Sequence, residues 1–424
     1  MFRVVKEWEA ARQRAQPTID NMSSMLCDLS CCSDDPHVCP GVGAEACLME
    51  RLTVGVRVLD KTASSPLVSV LMVVRNEQKS VMNAIVSVLS QSHSQLELLV
   101  LDGESSDDTP YIVRRVAESD PRVKLLRNPH RIIPAGLNVG LAAATGSFIA
   151  RLDGHSNWNT TYLADALRNL HERPDAAGVG GTRYGVASSV TGRAIALALS
   201  SRLGVGNSIY HYGKEPQDTD HATSGVYRAD LARSISGWDE RLLVNEDVDF
   251  DYRLRQAGFA LLYDPKMRTA WSVRESLTDF FRQYRRYGRG KAAMVRKNGA
   301  RAMRARHVGA PALVLALAVS SLAAVSGRRT AAAFTPAAYL STIIVGAWRL
   351  SRTETDRVVL MRPLVLAFTA MHLGWGIGFL EGLLLGSAPA AATAKEPGWP
   401  TCSRVSATSS TVSDRGRRSP RRRS

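Results

Sequence analysis

The stretch LVSVLMVVRNE, residues 67–77, decides the reading of the chain. Residues 67–74 form an apolar run with no charge, and RNE follows at once. A short, continuous, β-branched run of this kind reads as a strand buried on both faces of a parallel sheet. Working outward, Val81, Ile85, Val88 and Leu89 fall on one face of a helix. LELLVLD (96–102) reads as a second strand, and Ser106, Asp107 and Asp108 suit the start of a second helix. VKLLRN (123–128) is a third strand, Pro134 opens a third helix running to Ala144, and GSFIARLDG (146–154) is a fourth strand. Strand and helix alternate at short spacing, which predicts an open α/β sheet with helices on both faces.

Composition divides the chain further. Residues 1–65 carry little periodic pattern and read as an N-terminal extension; the leading MFRVVKEWEAARQRAQ lacks the apolar core of a signal peptide. The compact domain is expected over 66–300 and a membrane region over 301–389. Residues 390–424, ending RGRRSPRRRS, have the composition of a disordered tail. Uncharged runs at 308–326, 331–348 and 363–380 approach or reach the length that spans a bilayer. The second contains Pro336 and could instead lie re-entrant or interfacial. Five of the six cysteines, Cys27, Cys31, Cys32, Cys39 and Cys47, lie in the extension and the sixth, Cys402, in the tail. Their spacing matches no zinc pattern.

The formal net charge is +15. Much of the excess sits at Arg282, Arg285, Arg286, Arg289, Lys291, Arg296, Lys297, Arg301, Arg304 and Arg306, just before the first apolar run. That placement suits a cytosolic flank facing anionic membrane lipids rather than a nucleic-acid surface. It puts the first helix's leading end inside. Three crossings then leave the tail outside, against its charge, whereas two would leave it inside; helix lengths favour three.

Ligands of open α/β sheets collect beyond the carboxyl ends of the strands. Four places qualify: Arg75, Asn76 and Glu77; Asp102 with Gly103, Ser105, Asp107 and Thr109; Asp153, Gly154 and His155; and the acids Glu246, Asp247, Asp249 and Asp251. Asp153 ends an apolar strand, where a carboxylate needs a partner. Either Mg²⁺ or Mn²⁺, with His155 alongside, or a capping role in an Asp-Gly turn would supply one. The 246–251 acids fit either a solvated helix start or the seat of a general base. In FRQYRRYGRGK (281–291), Gln283, Arg286 and Tyr287 combine an amide, a phosphate-clamping guanidinium and a stacking ring on a helix that also suits a lipid surface.

Taken in order, these segments resemble the family 2 glycosyltransferases, inverting enzymes of the GT-A fold, over about residues 66–300. The resemblance implies a GT-A-like nucleotide-sugar-binding open sheet followed by C-terminal transmembrane helices, and it is nearest in kind to the succinoglycan-type membrane group. VSVLMVVRNE (68–77) is similar to the family's opening strand and nucleotide-contacting loop, which makes Arg75, Asn76 and Glu77 donor contacts. LELLVLDGESSDDT (96–109) implies the same for Asp102, near the base or ribose, and for Asp107. The D-x-D metal motif of the family stands here as Asp153-Gly154-His155, implying Mg²⁺ or Mn²⁺ on Asp153 and His155. Glu246-Asp247 resembles the Glu-Asp pair, with Asp247 the catalytic base. Gln283, Arg286 and Tyr287 resemble Q-x-x-R-W with Tyr for Trp, and HATSGVYRADLARSISGWDERLLVNED (221–247) resembles the family's stretch before the base, which implies an acceptor-side position for Thr223, Ser224 and Gly225. The implied partners are a nucleotide sugar, a lipid-linked or polysaccharide acceptor and membrane lipids, with no nucleic acid. Two rivals fit less well. Another metal-dependent nucleotide-using transferase would show a Gly-rich phosphate loop after the first strand, which VVRNEQKS lacks. A non-catalytic membrane scaffold needs none of Asp102, Asp153 and Asp247.

Overall fold

The computed structural model describes residues 65–386. The N-terminal extension, the Arg/Ser-rich tail and all six cysteines lie outside the described residues. Nine strands form one mixed sheet. The first four are β1 (Val68–Val74), β2 (Leu96–Asp102), β3 (Val123–Arg127) and β4 (Phe148–Asp153). They are followed by β5 (Ser156–Trp158), β6 (Ala176–Val186), β7 (Gln217–Asp218), β8 (Val226–Arg228) and β9 (Ala260–Ser272). The order is β3-β2-β1-β4-β8-β6-β9-β5, with β7 paired to β9. The β3-β2-β1-β4 half is parallel, with Val68 opposite both Leu96 and Phe148. β8 runs antiparallel to both β4 and β6.

The four expected strands and three expected helices are present as α1 (Val81–Leu89), α2 (Thr109–Ser119) and α3 (Ile133–Ala143) between strands β1 to β4. The next helices are α4 (Tyr162–Glu172), α5 (Val190–Leu199), α6 (Arg202–Val205), α7 (Ala229–Ser234) and α8 (Glu246–Gln256). Side-chain alternation in β1 explains the two-layer covering. Val68, Val70, Met72 and Val74 pack with Val81, Ile85 and Val88 of α1, Ile112 and Val113 of α2, and Leu163 of α4. Leu71 faces the other way, into a core with Leu137 and Leu141 of α3, Ala232 of α7 and Phe250 of α8. A strand buried on both faces must be apolar throughout, which is why its sequence is a run and not an alternation.

The C-terminal part begins with α9 (Leu277–Asn298), which carries the basic block. Three helices long and apolar enough to cross a membrane follow: α10 (Gly309–Val325), α11 (Arg329–Ser351) and α12 (Arg357–Leu385). α11 continues through Pro336. Leu315, Val319 and Leu322 on α10 and Phe334 and Ile344 on α11 are exposed, as lipid-facing side chains would be. α12 is more enclosed because α9 lies along it. An added Cβ at Gly378 would overlap the Arg285 carbonyl, and Gly374 and Gly382 meet Phe281 and Ala292 of α9 in the same way. Arg285 and Arg289 both pair with Glu381 at 2.8 Å. That contact explains the one acid within the last apolar segment. On the other side of α12, Ala194, Ile195 and Ala198 of α5 share a core with Leu364, Ala367 and Phe368.

Candidate active site

The strand order reverses direction at β1, with β2 on one side and β4 on the other, so a crevice opens beyond the ends of β1 and β4. A cleft of about 1080 Å³ occupies that place. Arg75, Glu77, Asp153 and His155 line it at the strand ends. Glu246 and Asp247 line it from the first turn of α8, and Gln283, Arg286 and Tyr287 from α9. Thr223 also reaches it. The cleft continues between the apolar helices, where Leu313, Tyr339, Ile343 and Trp375 form its walls.

At the strand ends, the two loops after β1 and β2 are stitched together by local hydrogen bonds. Asn76 takes a left-handed backbone with φ of 56°, and its amide carbonyl oxygen accepts from the Ser106 N–H at 2.8 Å. Asp107 accepts from the N–H groups of Gln78 and Thr109 at 3.1 and 3.0 Å. The Ser105 hydroxyl donates to Asp102 at 2.6 Å. Asn76, Asp102 and Asp107 therefore frame the crevice without lining the cleft itself. Gly154 is needed behind Asp153, because a Cβ there would come within 2.7 Å of Val74 Cγ1.

The α8 side of the cleft is built around a residue outside the motifs read from the sequence. Arg151, on β4, sits among three carboxylates: Nη2 lies 3.0 Å from Glu246 and 3.5 Å from Asp153, and Nη1 lies 3.7 Å from Asp247. Arg183, on β6, approaches Asp153 at 3.4 Å and stacks on Trp271 at 4.2 Å. Burial would raise Asp153, but Arg151 and Arg183 outweigh it and hold the carboxyl at about 2. Burial and the neighbouring Asp247 charge push Glu246 above the usual carboxylate range. Asp247 moves the other way. Its burial is outweighed by His221 and Arg151, which keep it ionised. Two adjacent carboxyls pushed apart is the pattern of divided roles in a catalytic pair. Glu246 is buried against Arg151, while the Asp247 side chain keeps about a third of its surface, 34%, open to the cleft.

His221 is the second unread residue. Its Nδ1 lies 2.6 Å from Asp251 and its Nε2 3.9 Å from Asp247. Burial pulls its pKa down, but Asp251, Asp247 and Asp220 prevail and raise it. The Tyr227 hydroxyl lies 2.9 Å from Asp251 as well. Asp249 turns away from the cleft to Arg253, Lys297 and Asn298. The four acids of 246–251 thus divide: Asp247 faces the cleft, Glu246 and Asp251 hold charged partners around it, and Asp249 anchors α8. A charge within the apolar run FIARLD (148–153), and a His at the head of HATSGVYR, were the signals that could have found Arg151 and His221.

Of the residues expected on the acceptor side, Thr223 lines the cleft, but Ser224 and Gly225 do not. The Ser224 carbonyl accepts from the Tyr162 hydroxyl, and Gly225 packs against the Tyr227 ring. On α9 the Gln283 amide donates to the Tyr287 hydroxyl at 3.0 Å, and its buried Oε1 has no hydrogen-bond partner among the described residues. Among those residues no group of three metal-ligating side chains occurs. Asp153, with His155 on the same wall, fits a hard dication only when substrate phosphate oxygens and water complete the shell, as is usual for Mg²⁺.

Comparison with known proteins agrees with this geometry. The description Glycosyl transferase family 2 matches residues 69–231. The succinoglycan biosynthesis protein ExoA of Rhizobium meliloti is 31% identical over 301 residues, covering 68% of this chain and 86% of that protein. A dolichyl N-acetyl-glucosaminyl phosphate diacetamido-dideoxy-glucuronosyltransferase of Methanococcus voltae is 22% identical over 329 residues, covering 76% of this chain and 98% of its own. Among solved structures, the mannosyltransferase PcManGT of Pyrobaculum calidifontis, in complex with GDP-Man and Mn²⁺, shares the fold with a TM-score of 0.51. It has 19% identity and covers 81% of this chain and 96% of that one. A GT-A-like sheet, three C-terminal apolar helices, the family match and a relative 31% identical over 86% of its length lead to one conclusion: the chain belongs to glycosyl transferase family 2, membrane enzymes in this case that move a sugar from a nucleotide-sugar donor to an acceptor.

Proposed function

We propose that the protein is an inverting glycosyltransferase of the succinoglycan-biosynthesis kind that works at the cytosolic membrane surface on a lipid-linked or polysaccharide acceptor. One observation carries the reading. The Asp247 carboxylate, kept ionised by Arg151 and His221, faces a single cleft that joins the β1 and β4 strand ends to the apolar helices. The donor lies against Arg75 and Glu77, within the frame of Asn76, Asp102 and Asp107. Asp247 takes the proton from an acceptor hydroxyl as that oxygen attacks the anomeric carbon, and the nucleoside diphosphate leaves from the opposite face. Arg286 meets the charge growing on the leaving diphosphate, and Tyr287 with Gln283 sets the donor's position. The unpartnered Gln283 Oε1 is an acceptor for a sugar hydroxyl. Asp153, with His155 beside it, would hold Mg²⁺ or Mn²⁺, which when bound neutralises diphosphate charge. Thr223 borders the acceptor.

The names of the relatives support an acceptor on a lipid or a growing polymer, as does the cleft's passage into the apolar helices. With the domain fed by cytosolic nucleotide sugars and α9 basic, the leading end of α10 lies inside, and the lengths of α10, α11 and α12 favour three crossings. In a variant lacking native cysteines, the exposed Ser272→Cys should react with an impermeant reagent only after membranes are opened. Incubating membranes with a panel of radiolabelled nucleotide sugars tests the function. Label should enter lipid or polymer with one donor and stop on chelation. Metal-dependent release of free sugar from every donor, with no label transferred, overturns the reading.

A further inference from the structure

Lys291, on α9, is only 4% exposed and lines the cleft. Its ammonium touches the Met294 sulfur at 3.4 Å and has no carboxylate partner within ion-pair distance among the described residues. A buried ammonium without a counter-ion is costly, and chains keep one where something else supplies the negative charge. Burial, with Arg306 and Arg304 nearby, lowers it to about 8, so it is mostly protonated at neutral pH. Its surroundings are short of anions. Arg306 pairs with Asp220 at 2.8 Å and Arg304 shares the same carboxylate at 3.4 Å. One acid therefore serves two guanidiniums, and Lys291 is surplus. Arg306 and His307 line the cleft with Lys291, beside Gly309, Ala310 and Leu313 of α10. The His307 ring stacks on Trp375 of α12 at 5.9 Å.

A surplus buried cation thus stands where the cleft passes from Asp247 into the apolar helices. We infer that Lys291 and Arg306 form the seat for the phosphate or diphosphate of a lipid-linked acceptor, with the lipid chain lying between α10 and α12. The inference rests on the transferase reading and narrows it to one acceptor class. The same phosphate chemistry could come from the nucleotide donor. However, the strongest charged influences on Lys291 come from Arg304, Arg306, Asp220 and Asp249, none of them on the β1 or β4 loops that frame the donor.

The test uses the full chain in phosphatidylcholine nanodiscs. Binding is measured for a long-chain polyprenyl diphosphate, the matching neutral polyprenol, inorganic pyrophosphate, UDP and GDP. The wild-type protein should bind the polyprenyl diphosphate more tightly than either the alcohol or pyrophosphate. K291M and K291Q should lose roughly tenfold or more for the polyprenyl diphosphate, the scale of a charge-assisted hydrogen bond. They should hold UDP and GDP within about twofold. Without added polyprenyl diphosphate, K291M should melt at or above the wild-type temperature, because it removes an unpaired buried charge. Unchanged polyprenyl diphosphate affinity in both variants overturns the inference. So does a loss that falls on UDP and GDP instead, or pyrophosphate binding as tightly as the lipid. A lower melting temperature with all binding lost together marks Lys291 as structural and overturns it as well. If the wild-type protein transfers no sugar but the lysine variants still lose polyprenyl diphosphate, the seat stands and the transferase reading falls.

Discussion

The two ends of the cleft are built on different principles. At the β1 and β2 strand ends, where the proposal seats the donor, neighbouring loops are tied by short hydrogen bonds among Asn76, Asp102, Ser105 and Asp107, each within a few residues of a strand end. At the base end, charges from four distant segments meet: Arg151 on β4, Arg183 on β6, His221 before β8 and the acids of α8. The first is a local scaffold that one substitution loosens. The second is a buried network in which each charge is tolerated only because the others are present, so removing one leaves the rest uncompensated.

That contrast sets the scale of what each substitution should do. R151M is expected to be the most damaging, since it strips the shared counter-ion from Glu246, Asp153 and Asp247. Stability should fall by about 3 kcal/mol or more, the usual consequence of breaking a buried pair, and turnover should fall with it. Denaturant unfolding of the detergent-purified protein reads this out. A loss no greater than that of a surface charge would show that the network is not coupled. H221Q keeps a hydrogen-bonding side chain but removes the charge beside Asp247. Turnover should drop roughly tenfold, the equivalent of one charge-assisted bond. The sign of the pH effect is fixed: His221 is raised above its ordinary 6.5, so the stability it adds is complete below pH 6.5 and is lost as pH rises through the raised value. H221Q should abolish that alkaline decline, and a profile unchanged by the substitution would remove His221 from the network.

R286A should reduce turnover by several-fold to tenfold, and R296A, whose guanidinium meets the Gly382 carbonyl on α12, by less than about twofold. Equal small effects would assign α9 to the lipid surface alone. At the donor end, D107A should cost only about 1 kcal/mol of stability, as for the loss of a capping side chain, with a modest rise in KM for the donor. A cost as large as that of R151M would erase the distinction between the two ends.

The same distinction explains what was legible. Strands β1 to β4 could be read because each is a short, mostly apolar stretch with at most one charge before its last residue, and Arg75, Glu77 and Asp153 stand at or just beyond the strand ends. Strands β6 and β9 could not. AAGVGGTRYGV is rich in glycine, and ALLYDPKMRTAWS carries Asp264, Pro265 and Arg268 around a register shift opposite Gly181 and Thr182. β5, β7 and β8 are only two or three residues long, below the length at which alternation is visible. Asp247 was legible as a candidate through its acidic neighbours. Arg151 and His221 were not, because a buried ion network is a property of distant segments brought together, and no local pattern records which charges will meet.

The central claim is that Asp247 is the base and that its charge is maintained by the network behind it. It is tested most directly by D247N, with donor binding and single-turnover transfer measured on the same preparation. Donor affinity should stay within about twofold of wild type while the transfer rate falls by roughly 10²-fold or more, the scale of general-base catalysis. Transfer at a near-wild-type rate, or a loss that lies entirely in donor affinity, would contradict it.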